Sequence, residues 1–364
     1  MLDADEFDAW FRLLETPGLG REGARRLLAA FGSARQVLQA SRTARQQLVG
    51  AAPAQALDDE PEDLPQRLRA ARDWLDGGEQ RRALTVGDAD YPPLLLQTPD
   101  PPLLLYVQGR AELLSRRSLA IVGSRNASAQ GLDNARSFAA HLSRQGWTIV
   151  SGLALGIDGA AHEGGLDGPG STVAVVGTGL DRVYPARHRA LAHRIAAAGV
   201  LVSEFAPGTP PLPQHFPMRN RILAGLAQGT LVVEAALQSG SLITARQAAD
   251  YGREVFAVPG SIHSPLSRGC HMLLRQGAKL VESADDIIEE LQGTTAAAAG
   301  PVATPAGRED PVLQALGHDP ATLDALCART GWSAQELSAH LLQLELEDRV
   351  ARLPGGLYQR RSHA

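Results

Sequence analysis

The chain's 364 residues are too many for one ordinary core, so two or three domains are expected. A formal net charge of −5 excludes a basic coat over the whole surface but leaves room for a local one. Hydrophobic residues at 44% and charged residues at 21% describe an ordinary globular protein, and no apolar run approaches the length of a membrane span.

The first residues, MLDADEFDAWFRLL, are acidic rather than a basic leader. Cys270 and Cys327 lie far apart and form neither a disulfide framework nor a metal knuckle. Both features point to a reducing cytoplasm. Basic charge is carried by arginine, with Lys279 the one lysine. The planar guanidinium suits phosphate because it donates two parallel hydrogen bonds.

In chain order, residues 1–50 read as a small helical domain. Its Pro17-Gly18-Leu19-Gly20 turn precedes Arg21, Arg25 and Arg26, and residues 21–45 hold six arginines against Glu22. Such a turn can aim backbone N–H groups at a phosphate. A packing module with solvated arginines is the equal alternative. Residues 51–79 read as linker and helix, with the Ala/Pro-rich, then acidic, stretch 51–65 as a solvated loop.

Residues 80–292 alternate strand-like apolar runs with amphipathic helices. The strands are LAIVG (119–123), TIVSG (148–152), TVAVVG (172–177), VLVSE (200–204), TLVVEA (230–235) and VFAVPG (255–260). Short apolar runs closed by Gly or a polar residue mark strands buried on both faces, hence an α/β, Rossmann-like, doubly wound, mostly parallel sheet. Ligands bind such sheets beyond the carboxyl ends of the strands. Those ends carry Gly123-Ser124-Arg125, Gly152 with Gly156, Gly177 with Gly179, and Ser239-Gly240-Ser241 opening a helix. Small residues let backbone N–H groups approach an anion, although glycine also simply permits a tight turn. Arg187 and Arg189 follow the third loop, and Phe216 with Arg219-Asn220-Arg221 precedes the helix leading into the fifth strand.

Competing chemistry is thinly supported. No GxxxxGK[ST] loop is present, and Gly177-Thr178-Gly179 lacks the third glycine of a dinucleotide fingerprint. Asp158 and His162 stand one helical turn apart without a third metal ligand at a recognisable spacing. Glu204 and Glu234 end strands without a paired acid or nucleophile, and read as hydrogen-bond anchors for loops. No catalytic residue, metal or cofactor is expected.

Residues 293–308 are low-complexity and read as a flexible tether. Residues 309–364 read as a winged-helix-like unit: helix Pro320–Thr330, helix Ser333–Asp348, then a hairpin over Val350–Tyr358. Between residues 309 and 361 there are eight acids against five arginines, the wrong balance for a recognition helix. A protein-contact or regulatory role is expected there.

The runs IVGSRNAS, SGLALGIDGAAH, GTGLDRVYP, SEFAPGT, FPMRNRILAGL, EAALQSGSLITARQA and REVFAVPGSI occur in order between Ala120 and Glu282, followed by RGCHMLLRQGAKLV. On these the chain resembles the bacterial DNA-processing proteins of the DprA/Smf family. The resemblance implies sequence-independent binding and protection of single-stranded DNA, homodimerisation, and loading of the recombinase RecA during natural transformation. It assigns phosphate binding to Gly123, Ser124, Arg125, Arg219, Asn220 and Arg221. It maps a dimer face near His271, Leu274 and Leu280, and a RecA face near Arg246, Ala249 and Glu254. The helical N-terminal unit fits a helix-hairpin-helix or SAM-like domain. Many members carry lysine after the Tyr-Pro of GTGLDRVYP, where this chain has Ala186; Arg187 or Arg189 is the expected substitute. A nucleoside-monophosphate hydrolase on a related fold is the alternative. However, the stretch Gln238–Thr244 is followed by no acid before Asp250. An interaction scaffold is the third reading.

Overall fold

A computed structural model describes residues 3–292, 310–317 and 320–361. The tether expected at 293–308 lies outside them. The strands, in chain order, are β1 (Arg81–Thr85), β2 (Leu104–Gly109), β3 (Ser118–Val122), β4 (Thr148–Ser151), β5 (Thr172–Val175), β6 (Val200–Ser203), β7 (Gly229–Val232), β8 (Glu254–Ala257), β9 (Lys279–Leu280), β10 (Ala321–Thr322), β11 (Val350–Leu353) and β12 (Leu357–Arg360). Two compact units form. One combines Met1–Arg116 with Val173–Leu226, and the other combines Arg117–Thr172 with Ala227–Ala364.

In the first unit the strands run in the order β1-β2-β6-β5. β1 pairs antiparallel with β2, β2 antiparallel with β6, and β6 parallel with β5. The N-terminal helices pack directly on this sheet, because Phe7 and Trp74 both meet the Tyr106 ring edge-on. Half of the expected loop at 51–65 is helical. Ala51–Ala56 forms a short helix that buries Ala54, with Leu57 buried just beyond it.

The second unit runs β4-β3-β7-β8-β9, all parallel. Every residue of β3, β4 and β7 is buried, as a strand covered on both faces requires. Leu119, Ile121, Ile149, Leu231 and Phe256 pack against Phe138 and Leu142 of helix Ala129–Arg144, and against Ile157 of helix Ile157–Gly165.

The C-terminal residues of this unit fold around a small core of their own, centred on Leu313, Leu326, Leu337, Leu341 and Leu344. Helices Leu323–Thr330 and Ala334–Leu346 precede the β11–β12 hairpin, and β10 pairs with β12. This is the winged-helix order. Glu336, one of the acids on the second helix, closes a capping box with Ser333. Among the described residues, no helix is long and apolar enough to cross a membrane.

Candidate nucleic-acid interface

In the second unit, the loop after β3 is held in place by Glu234. The Ser124 N–H donates to the Glu234 carbonyl at 2.8 Å. The Glu234 carboxylate accepts from the Ser128 N–H at 2.9 Å and from the Ser128 hydroxyl at 2.5 Å. Glu234 is therefore a loop anchor. Ser128 in turn caps helix Ala129–Arg144. Gly123 and Gly156 are dictated by packing. A Cβ on Gly123 would stand 2.9 Å from the Glu234 carbonyl, and one on Gly156 would stand 2.2 Å from the Ser124 carbonyl. Gly156 also has φ +78°, where L side chains are strained. Arg125 is exposed at the tip of this loop.

The loop after β4, from Gly152 to Gly156, is organised from below by His162 and Asp158. The buried His162 Nε2 accepts the Leu153 N–H at 3.2 Å, and its Nδ1 lies 2.7 Å from the Thr172 hydroxyl, which itself bonds the Ile149 carbonyl. Leu153 has φ +58°, and this acceptor fixes its backbone. Asp158 accepts from the Ala154 N–H at 3.3 Å. Both side chains thus shape the loop.

Ser239, Gly240 and Ser241 lead into helix Ser241–Asp250, with Gly240 at its N-cap and the two serine hydroxyls 2.6 Å apart. A Cβ on Gly240 would meet nothing within 4 Å. The two glycines therefore differ. Gly156→Ala is expected to lose more than about 1 kcal/mol of unfolding free energy, and Gly240→Ala less than about 0.5 kcal/mol, in chemical denaturation.

In the first unit, Gly177-Thr178-Gly179 follows β5. Gly177 lies against Phe216, and the Gly179 N–H donates to the Thr209 carbonyl at 3.1 Å. Beyond it, Arg187 and Arg189 are exposed and make no ion pair among the described residues. Tyr184 leans on Phe216 with ring centroids 5.5 Å apart, and Phe205 stacks on His215 at 4.0 Å. Three of the chain's aromatic residues, Tyr184, Phe205 and Phe216, thus gather here.

Arg219-Asn220-Arg221 lie differently from the expectation. They do not precede a helix but form part of one, His215–Leu226, and are only 5%, 9% and 6% exposed. The Arg219 guanidinium donates to the Val175 carbonyl and to the Asn220 side chain. Arg221 bridges Glu204 at 2.5 Å and Asp100 at 3.1 Å. Arg21 reaches the same two acids, and Arg25 reaches Asp100. Burial alone would raise the Asp100 pKa, but the Arg25 hydrogen bond and the charges of Arg221 and Arg21 hold it below the ordinary carboxylate value. The remaining arginines of residues 21–45 are also paired: Arg26 with Glu22, Arg35 with Asp3, and Arg42 and Arg45 with Asp58. Arg45 is buried in its pair, while Arg26 and Arg42 are paired yet remain exposed to solvent.

His271 and Leu274 are half-buried on helix Arg268–Arg275, with His271 Nε2 2.9 Å from the Gly260 carbonyl. Leu280 is 53% exposed on β9, an edge strand of its unit. Arg246 and Ala249 are exposed on helix Ser241–Asp250, and Glu254 opens β8, also exposed.

The family model for DNA recombination-mediator protein A matches residues 82–292, and that for the DprA winged helix domain matches residues 295–356. Protein Smf of Escherichia coli is 43% identical over 294 residues, 78% of either chain. DNA processing protein DprA of Streptococcus pneumoniae is 46% identical over 210 residues, 58% of this chain and 74% of the relative. The X-ray structure of the Streptococcus pneumoniae protein superposes with a TM-score of 0.68 at 36% identity, covering 78% of this chain and 97% of that one. DNA processing protein A of Helicobacter pylori, solved to describe its single-stranded DNA binding mode, superposes with a TM-score of 0.53 at 30% identity, covering 58% and 96%. With loops and arginines at the strand ends and both family models matched in order, the chain belongs to the DprA (DNA recombination-mediator protein A) family.

Proposed function

We propose that this protein binds single-stranded DNA without sequence preference and hands it to a recombinase, with no covalent chemistry of its own. The observation that carries the reading is the pair of exposed arginines, Arg187 and Arg189, which make no ion pair among the described residues and follow the glycine loop after β5. Membership of the family supports it, as does the single-strand binding described for the Helicobacter pylori relative. In the second unit, Arg125 and the Gly123–Ser124 and Ser239–Ser241 segments supply further phosphate contacts. Arg219 and Arg221 act differently. Buried and engaged, they position the loops around them.

Binding should be driven mainly by phosphate, and therefore be steeply salt-dependent. Titrating the full chain with a labelled oligo-dT and with a duplex of equal length tests this. Preference for the single strand that weakens with salt is expected. Equal, weak binding of both would favour a scaffold, and release of free base from nucleoside monophosphates would favour the hydrolase.

Two partner faces complete the reading. Leu280 on the open edge of β9, with His271 and Leu274, suits pairing with a second copy, because an unpaired strand edge is a template for another chain. Arg246, Ala249 and Glu254 form the proposed RecA contact, and the acidic C-terminal unit is a protein-contact element. Size-exclusion chromatography with light scattering on Leu280→Asp tests the dimer face; an unchanged mass would refute it.

A further inference from the structure

β1 is the outer strand of its unit, and one side of its backbone is open. Gly109 donates to the Gln80 carbonyl and Val86 donates to the Leu103 carbonyl, both at 3.0 Å, so the ladder to β2 uses the even-numbered residues. Alternation turns the N–H and carbonyl groups of Arg81, Ala83 and Thr85 the other way. Local turns occupy both ends of this edge. The Arg81 N–H donates to the Gly78 carbonyl at 3.0 Å. The Thr85 N–H donates to the Asp88 carboxylate at 2.6 Å, and the Thr85 carbonyl accepts from the Asp88 N–H at 3.0 Å. Between them, the Ala83 N–H and carbonyl and the Arg81 carbonyl make no hydrogen bond on the open side among the described residues.

Beside that edge lies a cavity of about 650 Å³. Ala4 and Phe7 of helix Ala4–Leu14, Leu75 of helix Leu64–Asp76, and Ala83, Leu84 and Ala89 give its apolar lining. Phe7 and Leu84 are buried and Leu75 half-buried, so the edge borders a preformed apolar wall. Charged side chains commonly blunt an open edge. Here the arginines are drawn aside. Arg81 lies over the Trp74 ring, 5.2 Å from its centroid, and donates to the Trp74 carbonyl at 2.9 Å; Arg82 reaches Asp90 at 3.3 Å. Arg72, the third arginine on the lining, pairs with Asp8.

The remaining charge is acidic. Asp3, Asp76, Asp88 and Asp90 line the same cavity. Asp73, Asp76 and Glu79 stand exposed just before β1, without an ion pair among the described residues. Acids therefore flank both ends of the strand while every arginine is engaged. A phosphate backbone would be repelled here, and a basic chain attracted.

We infer that the β1 edge is a docking site for an extended segment of a partner protein, apolar in its middle and basic at its flanks. The segment adds as a strand, bonds the Ala83 N–H and carbonyl, and lays its apolar side chains against Phe7, Leu75 and Leu84. Main-chain bonds supply affinity in this mode, and the groove and its acids supply selection. The inference does not depend on the single-strand reading above.

The test titrates the full chain with a labelled, end-blocked heptapeptide, Lys-Lys-Val-Thr-Val-Lys-Lys, and with the same peptide carrying glutamate for lysine. Wild type should bind the lysine peptide at least roughly tenfold more tightly. Ala83→Pro removes the open-edge donor without losing a bond to β2, a change that edge strands accept. It leaves the charge unaltered and should weaken the lysine peptide roughly tenfold. Equal binding by wild type and Ala83→Pro, equal binding of the two peptides, or no binding by wild type overturns the inference. A wild-type dimer that dissociates in Ala83→Pro gives the edge to a second copy and also overturns it. Should Ala83→Pro not fold, hydrogen exchange of wild type decides. Protection gained across residues 80–86 on adding the lysine peptide supports the site, and unchanged exchange there overturns it.

Discussion

Replacing Arg187 and Arg189 together with alanine is expected to weaken oligo-dT binding roughly ten- to a hundredfold at moderate salt, without lowering thermal stability. Both side chains are exposed and make no ion pair among the described residues, so their removal leaves no buried charge behind. The more diagnostic readout is the salt slope. Each single-strand phosphate contact contributes about 0.7 to the slope of log K against log salt, so two lost contacts should flatten it by about 1.4. A lysine pair at the same positions should restore most of the slope, since counterion release depends on charge rather than on guanidinium geometry. Affinity should recover less, because a lysine cannot make the bidentate contact. A double alanine variant with an unchanged slope would remove this segment from the DNA path. Ala186 would then mark a true loss of charge, with no neighbour taking its place.

The six strands expected from the sequence are present as β3 to β8, because unbroken apolar runs closed by Gly or a polar residue carry their own signal. β1 was not legible. It begins Arg81-Arg82, and its pairing with β2 joins Leu84 to Leu105 across the intervening chain. β9, two exposed residues long, has no pattern to read. The loops at the strand ends were legible as glycine and serine clusters. What the glycines do was not. Only three-dimensional contact distinguishes Gly156, pressed against the Ser124 carbonyl, from Gly240, which faces open space. The same limit applies to the arginines. Asp58, Asp100 and Glu204 neutralise Arg21, Arg25, Arg42, Arg45 and Arg221 from distant points in the sequence, and a charge count along the chain cannot see that. FPMRNR reads in the sequence as preceding a helix, yet it lies inside helix His215–Leu226, with Pro217 in the first turn, where no intrahelical N–H is needed.

Arg221→Ala should consequently behave as a stability variant. The guanidinium is 6% exposed and joins Glu204 to Asp100, so its loss strands two carboxylates facing each other. Removing one partner of a buried ion pair costs about 3–5 kcal/mol. The low end applies here, because Arg21 still reaches both acids and Arg25 still reaches Asp100. About 3 kcal/mol in a unit of this size corresponds to a fall in Tm of roughly 6–12 °C. The defect should also change with pH. The Asp100 pKa is lowered in the folded protein, so its stabilising contribution is present above the unfolded carboxylate pKa and disappears as pH falls through the lower, folded value. Thermal melts of wild type and Arg221→Ala should therefore diverge most near neutrality and converge on acidification. Arg221→Met, which keeps volume but not charge, should recover part of the packing and none of the pH dependence. If Arg221→Ala instead melts like wild type and loses oligo-dT affinity with a flatter salt slope, the side chain leaves its ion pairs to meet phosphate, and the positioning role assigned to it is wrong.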